Sequence, residues 1–239
     1  MKKLIKNVIW SIKHRPFRYS KTFLALSELV KFDERENFLE MVMDYARSSR
    51  LNGDYLEFGV FKGHTFISSF HLANSQGRNL SNMRFFAFDS FQGLPKPKGI
   101  DIENFDHFKE GDYSFSFDDF VRNLKKSSVD MKRVIITPGW FNKTLNSKLK
   151  EKFKLKKASI VYIDCDLYSS TVDVLNFVKD LIHPGTLIAF DDWFTFRGSP
   201  DQGEQLAFKT WLKKNPKIKV EEFRKFGWYG NSFIVVKTK

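Results

Sequence analysis

The sequence predicts an α/β fold built on a doubly wound, mostly parallel sheet, and three observations lead there. Short runs rich in aromatic and β-branched residues recur along the chain. They are largely apolar instead of alternating, with Glu57 the one charged residue among them, and each ends at a glycine or an aspartate before a stretch long enough for a helix. The runs cover 55–58 before Gly59, 85–88 before Asp89, 134–136 before Pro138-Gly139, 160–163 before Asp164, and 187–190 before Asp191. Strands buried on both faces need helices on both sides, which is the parallel, doubly wound arrangement. Two later runs, 218–223 and 232–236, flank Gly227-Trp228-Tyr229-Gly230-Asn231 and predict a closing antiparallel pair.

Composition narrows the class. The 239 residues are 42% apolar and include 27 Phe, so the chain can bury a core and is not a disordered polymer. Cys165 is the one cysteine, which excludes an intrachain disulfide. No apolar run approaches the roughly 20 residues of a membrane-spanning helix. Lys6, Asn7, Ser11 and Lys13 interrupt the start of the chain, so no secretory signal is expected and a reducing, cytoplasmic setting follows.

The first acid is Glu28, preceded by seven basic residues from Lys2 to Lys21, while Leu4, Ile5, Val8, Ile9 and Ile12 fall on one helical face. Residues 1–21 therefore read as a basic amphipathic helix. Its apolar stripe is expected to pack on its own domain or on a second subunit of a homo-oligomer; peripheral contact with an anionic membrane is the alternative. A second helix is expected over 35–47, with Phe38, Leu39, Val42, Met43 and Ala46 on one stripe, and Asn52-Gly53 breaks it. The expected organisation is an N-terminal helical prefix, 1–50, and a sheet domain, 51–239.

Ligands of open α/β sheets bind beyond the carboxyl ends of the strands, where the polar residues of this sequence cluster. The turn Glu57-Phe58-Gly59-Val60-Phe61-Lys62-Gly63 brings glycines next to a strand end but lacks the G-x-G-x-x-G spacing that holds a pyrophosphate. S-adenosylmethionine, which has no pyrophosphate, fits better than a dinucleotide. Asp89 is placed to accept ribose hydroxyls, and Gly139-Trp140 offers a backbone gap beside an aromatic face for adenine. Asp164 and Asp166 close the fourth strand and Asp191-Asp192 the fifth. If these strands are neighbours, three or four carboxylates converge, and their repulsion calls for a hard divalent cation such as Mg2+. Taken singly, Asp166 or Asp192 is expected to cap the following helix, and Cys165 to be a small buried thiol.

Taken in order, Glu57-x-Gly59-Val60-x-x-Gly63, Phe88-Asp89-Ser90-Phe91-Gln92-Gly93-Leu94-Pro95, Gly139-Trp140-Phe141 with Thr144-Leu145, Asp164-x-Asp166-Leu167-Tyr168-x-Ser170-Thr171 and Asp191-Asp192-Trp193 resemble the macrocin-type O-methyltransferases of antibiotic sugar pathways. The resemblance spans 55 to about 212. Cys165 stands where glycine is usual in that family, and Phe190 where Ile or Val is usual. What the resemblance implies is a Rossmann-like class I methyltransferase fold, use of S-adenosylmethionine and Mg2+, and methylation of sugar hydroxyls. It further implies cofactor binding by Glu57, Gly59, Gly63, Asp89 and Ser90, and metal binding by Asp164, Asp191 and Asp192.

An aliphatic hydroxyl needs a base to become a nucleophile. Asp164 is the candidate, with His64 and His107 as alternatives. Two polar stretches, 96–116 and 195–203, are long enough to act as lids, and Ser116-x-x-Asp119 bounds the first as a helix cap. Asp101, Glu103, Asp106 and Asp112 in that lid suit a hydroxyl-rich acceptor, so a sugar or glycosylated small molecule is expected. A catechol is the alternative acceptor, on which Trp193, Phe194, Phe196 and Trp228 would stack. The +12 net charge and the Lys-rich segments 148–157 and 209–219 raise nucleic-acid binding as a rival reading. That reading leaves the aspartate cluster unexplained, and no nucleic-acid partner is expected.

Overall fold

The computed structural model describes residues 34–75, 80–103 and 107–239. The basic helix expected over 1–21 and the lid acid Asp106 lie outside the described residues. Among the described residues no helix is long and apolar enough to cross a membrane.

The elements follow the expected order. Helix α1 (Glu34–Ser48) precedes β1 (Asp54–Phe58), α2 (His64–Ser75), β2 (Phe85–Asp89), α3 (Phe117–Lys126) and β3 (Val134–Pro138). Next come α4 (Phe141–Thr144), α5 (Ser147–Phe153), β4 (Ala158–Ile163), α6 (Tyr168–Val178), β5 (Leu187–Phe190), α7 (Gly203–Lys214), β6 (Lys219–Phe226) and β7 (Gly230–Lys237). The strands form one sheet in the order β3-β2-β1-β4-β5-β7-β6. The first five are parallel, and β7 runs antiparallel between β5 and β6. Both the parallel sheet and the closing hairpin are as the sequence predicts.

Continuous apolar strands put large side chains on both faces. Tyr55, Phe85, Ile160, Tyr162 and Leu187 share one cluster with residues of α1, α2 and α3. Leu56, Phe86, Phe88, Val161 and Ile188 share another with α6 and α7. Aromatic pairs lock neighbouring strands together: Phe58 stacks on Phe88 with ring centroids 4.6 Å apart.

Helix α1 is part of this unit. Phe38, Leu39, Val42, Met43 and Ala46 are all buried, and Phe38 stacks on Phe226 of β6 at 3.9 Å. At about 2 kcal/mol for each large apolar side chain removed from water, such a stripe does not detach. Residues 35–239 accordingly form one compact unit. Within it the α1 stripe finds its cover on the sheet.

Candidate active site

Hydrogen bonds that continue the ladder past each strand end set the site in a row. Gly59 N–H donates to Phe88 O (2.9 Å), Asp164 N–H to Phe58 O (2.8 Å), Asp191 N–H to Ile163 O (2.8 Å) and Gly139 N–H to Asp89 O (2.8 Å). The chain winds from β1 outward through β2 and β3, then returns to β4 on the other side of β1. That reversal opens a crevice between β1 and β4. A cavity of about 750 Å³ lies there, lined by Gly59, Asp89, Ser90, Trp140, Asp164, Asp191 and Asp192 among others.

Three residues expected at the cofactor do not line this cavity: Glu57, Gly63 and Gly139. Glu57 is 1% exposed and accepts a hydrogen bond from Tyr55 Oη, which in turn receives one from Ser69 Oγ. Burial is the main cause that pushes the Glu57 carboxyl up to about 8, with the Tyr55 hydrogen bond and Arg35 opposing it. It is therefore a largely protonated acid behind the site at neutral pH. Gly63 has φ +86° and a Cβ there would meet the Phe120 ring of α3 at 2.9 Å, so packing explains it. At Gly139, φ +129°, a Cβ would meet the Thr144 methyl at 2.7 Å.

Gly59 lines the cavity, yet its nearest constraint is also protein. With φ +84°, a Cβ there would lie 1.7 Å from Asp164 O. The missing side chain lets the β1 tip close on the β4 tip. Asp89 is similarly committed: Oδ2 accepts from Val60 N–H (2.8 Å) and Phe61 N–H (3.2 Å), and Oδ1 from Phe91 N–H (2.7 Å). A carboxylate oxygen has two acceptor sites, so Oδ1 keeps one for a ligand hydroxyl. Ser90 Oγ donates to Gly93 O (2.8 Å) and accepts from Gln92 N–H, shaping the turn. Trp140 is the N-cap residue of α4 and lines the cavity.

On the other side, β4 and β5 are neighbours, with Ile163 opposite Phe190, so Asp164 and Asp191 emerge together as expected. Their side chains are not gathered into a coordination shell. Among the described residues no three acidic, histidine or cysteine side chains close on one point. Asp191 is turned instead onto Arg35, Nη2 to Oδ2 2.6 Å, and Tyr162, which donates to Oδ1. Asp192 Oδ1 accepts from Thr195 Oγ1 (3.0 Å), and Asp192 N–H donates to Glu204 Oε2 (2.9 Å). Neither Asp166 nor Asp192 caps α6 or α7. Asp166 adopts φ +58° one residue before the α6 cap position, and Asp101 takes the cap instead.

The charge balance nonetheless fits a hard cation. Asp192 Oδ2 and Glu204 Oε1 are buried without a hydrogen-bond partner. Burial, reinforced by Asp191, Asp192 and Asp166 in turn, holds the Asp164 carboxyl well above its usual range. Asp191 is pushed up to about 7 by burial and then by Asp192, against the pull of Arg35. Five carboxyl groups face one guanidinium, and the surplus requires protons or a bound cation. All the carboxyl oxygens are hard donors suited to Mg2+. Cys165 is buried and faces Thr171 Oγ1 at 3.6 Å, an inert thiol as expected.

The expected lids are one structure. Phe108 of the first meets Phe196 of the second at 5.6 Å, and both join Leu94 and Leu167 in a separate apolar cluster. Gln202 donates to Glu103 O, adding a polar tie. Asp101, read as an acceptor contact, is 2% exposed and caps α6, accepting from Tyr168 N–H (2.6 Å). Asp112 accepts from Lys109 N–H within its own turn. Of the two candidate histidines, His107 lines the cavity and His64 does not. Sequence reasoning missed Arg35, Phe61, Tyr113 and Tyr229, all of which line it. Arg35 also lies over the Tyr229 ring at 5.1 Å. No local sequence signal marks Arg35, because its partner Asp191 lies 156 residues away.

Comparison with known proteins agrees with this geometry. Residues 29–215 match the family described as Macrocin-O-methyltransferase (TylF), which takes in α1 as well as the strand tips. The chain is 25% identical over 164 residues to an 8-demethyl-8-(2,3-dimethoxy-alpha-L-rhamnosyl)-tetracenomycin-C 4'-O-methyltransferase of Streptomyces olivaceus, covering 67% of this chain and 60% of that one. It is 26% identical over 166 residues to a mycinamicin III 3''-O-methyltransferase of Micromonospora griseorubida, covering 67% and 63%. It thus spans about 60% of the length of the curated relatives it matches. The fold superposes on the O-methyltransferase NovP with a TM-score of 0.72 at 20% identity, over 85% of this chain and 80% of that one. With the family match running over well more than half its length and through every strand tip of the cavity, the chain belongs to the macrocin O-methyltransferase family.

Proposed function

We propose that this protein transfers a methyl group from S-adenosylmethionine to a hydroxyl of a sugar or sugar-bearing small molecule, with a divalent cation held by Asp164, Asp191 and Asp192. The observation that carries the reading is the meeting of Asp164 with Asp191-Asp192 at adjacent strand tips, in the same cavity as Asp89 and Trp140. When bound, the cofactor supplies a sulfonium methyl and the cation lowers the pKa of a coordinated hydroxyl. The protein's own residues do the rest. Gly59, Asp89, Ser90 and Trp140 form the cofactor wall, and Asp89 offers one free acceptor site to a ribose hydroxyl. Asp164, half-buried at the junction of the two halves, is placed to take the acceptor's proton as the new C–O bond forms and the S–CH3 bond breaks toward sulfur. The joined lids exclude water from the reacting atoms.

The test is transfer of a labelled methyl group to a panel of glycosides, nucleotide sugars and catechols. Transfer should stop on chelation and return with Mg2+, while binding of S-adenosylhomocysteine persists. Full turnover in metal-free buffer would remove the cation, and label on catechols alone would remove the sugar.

A further inference from the structure

The segment from Asp89 to Asp101 is a strap across the crevice. It leaves the β2 tip and docks on the start of α6, the helix after β4, and β1 lies between β2 and β4. Both ends are clamped. Leu94 N–H donates to Asp112 O (2.8 Å) and Gly111 N–H to Leu94 O (3.0 Å), and Asp101 accepts from Tyr168 N–H at the far end. Between the clamps runs Leu94-Pro95-Lys96-Pro97-Lys98-Gly99, in which two prolines fix φ and Lys98 is extended at φ −148°, ψ 156°. Pro97 is buried, so Lys96 and Lys98 alternate outward, and both line the cavity. Seven aspartates line the same cavity. Among the described residues neither lysine forms an ion pair with any of them. The cavity therefore has an acidic floor at the β4 and β5 tips and a separate cationic edge on a rigid strap.

We propose that Lys96 and Lys98 form an anion subsite for the acceptor, and that the acceptor is a sugar still joined to a nucleoside diphosphate; this rests on the methyl-transfer reading above. Two lysines whose backbone positions lie about 7 Å apart along an extended strap can bring two ammonium groups to one ligand, which suits a doubly charged diphosphate better than one carboxylate. Clamping the backbone beforehand lowers the ordering cost of gripping it. The assignment also fixes a place in a reaction sequence. A diphosphate on the anomeric carbon is a leaving group, so the methylated product is the substrate of a glycosyl transfer. In that step an incoming hydroxyl gives its proton to a base and forms the new C–O bond, while the bond from the anomeric carbon to the diphosphate oxygen breaks and the nucleoside diphosphate departs with the electron pair.

Calorimetry on the full chain, in metal-free buffer saturated with S-adenosylhomocysteine, tests this with UDP-glucose and phenyl glucoside as probes. The wild type should bind UDP-glucose more tightly than phenyl glucoside. The double variant Lys96→Ala/Lys98→Ala should lose about tenfold or more for UDP-glucose alone, with affinity for S-adenosylhomocysteine unchanged. The charge-matched control Lys213→Ala/Lys214→Ala, on the exposed end of α7, should leave both probes unchanged. Equal UDP-glucose binding by wild type and the strap variant overturns the subsite. So does an equal loss in the control, and so does weakened S-adenosylhomocysteine binding in the strap variant, which would assign the lysines to the cofactor. Lysine-dependent UDP-glucose binding with no S-adenosylhomocysteine binding by any form would support the subsite and sink the methyl-transfer reading.

Discussion

Arg35 reaches Asp191 across 156 residues of sequence with a 2.6 Å ion pair, joining the start of α1 to the tip of β5. It is the one cation among the described residues in direct contact with the buried carboxyl cluster, and it ties the helix preceding the sheet to the residues at its centre. Replacing it with Met should cost about 1–2 kcal/mol, toward the lower range for a broken pair because the Arg35 side chain is 31% exposed. The loss has a sign in pH. Asp191 in the folded protein titrates near 7, so the ion pair is charged above that value and neutralised below it. Urea midpoints of Arg35→Met and wild type should differ more at pH 8.5 than at pH 5.5. The reverse order would mean that Arg35 contributes through packing on Tyr229 instead.

Glu57 gives a second pH signature. Its folded pKa, about 8, lies above the ordinary 4.5, so its contribution to stability is full below 4.5 and is lost as pH rises through 8. Glu57→Gln keeps an acceptor for Tyr55 Oη and removes the titration. The variant should gain on wild type progressively between pH 4.5 and 8, by up to about 1.4 kcal/mol per pH unit, and level off above. Thermal midpoints across that range check it; a constant offset would place Glu57 in contact with water.

The close approach of Gly59 to Asp164 predicts an asymmetry between two glycines with nearly equal φ. At Gly59 the obstacle to a methyl group is backbone, and at Gly63 it is the edge of a phenyl ring. Gly59→Ala should cost about 3 kcal/mol or more, from φ strain and overpacking together, and should displace the β4 tip. Gly63→Ala should cost less, since Phe120 can turn aside. Equal losses in chemical denaturation would remove the Gly59 contact as a special feature.

Asp101 holds α6 from outside its own segment. Asp101→Ala should lose about 1 kcal/mol, typical of a missing helix cap. Hydrogen exchange should quicken at Tyr168 and Ser169 and in the strap, with α7 unaffected. Exchange unchanged at Tyr168 would show the cap to be idle.

The parallel sheet was legible because its buried strands write themselves as largely apolar runs, and all five of those runs are strands, as are the two that close the sheet as a hairpin. Strand tips were legible for the same reason: Asp89, Asp164, Asp191 and Asp192 stand where those runs stop. That Glu57, Gly63 and Gly139 do not line the cavity was not legible, because a one-dimensional motif does not say which face a side chain takes. Glu57 lies on the face under α1 and α2, and the two glycines are required by Phe120 and Thr144, neighbours reached only by folding. Arg35 was invisible for a related reason. Its partner is across the fold, and nothing local marks a helix-start arginine as part of a carboxylate cluster.

The apolar seam of Leu94, Phe108, Leu167 and Phe196 bears on turnover. Parting it exposes two phenyl rings and two leucines to water at about 2 kcal/mol apiece, so neither loop gains from moving alone. Entry and exit then share one door with one opening rate. A single exchange process, the same for nuclei in both loops, is the relaxation behaviour such a door would show, and thinning the seam with Phe196→Ala would speed it at both loops together.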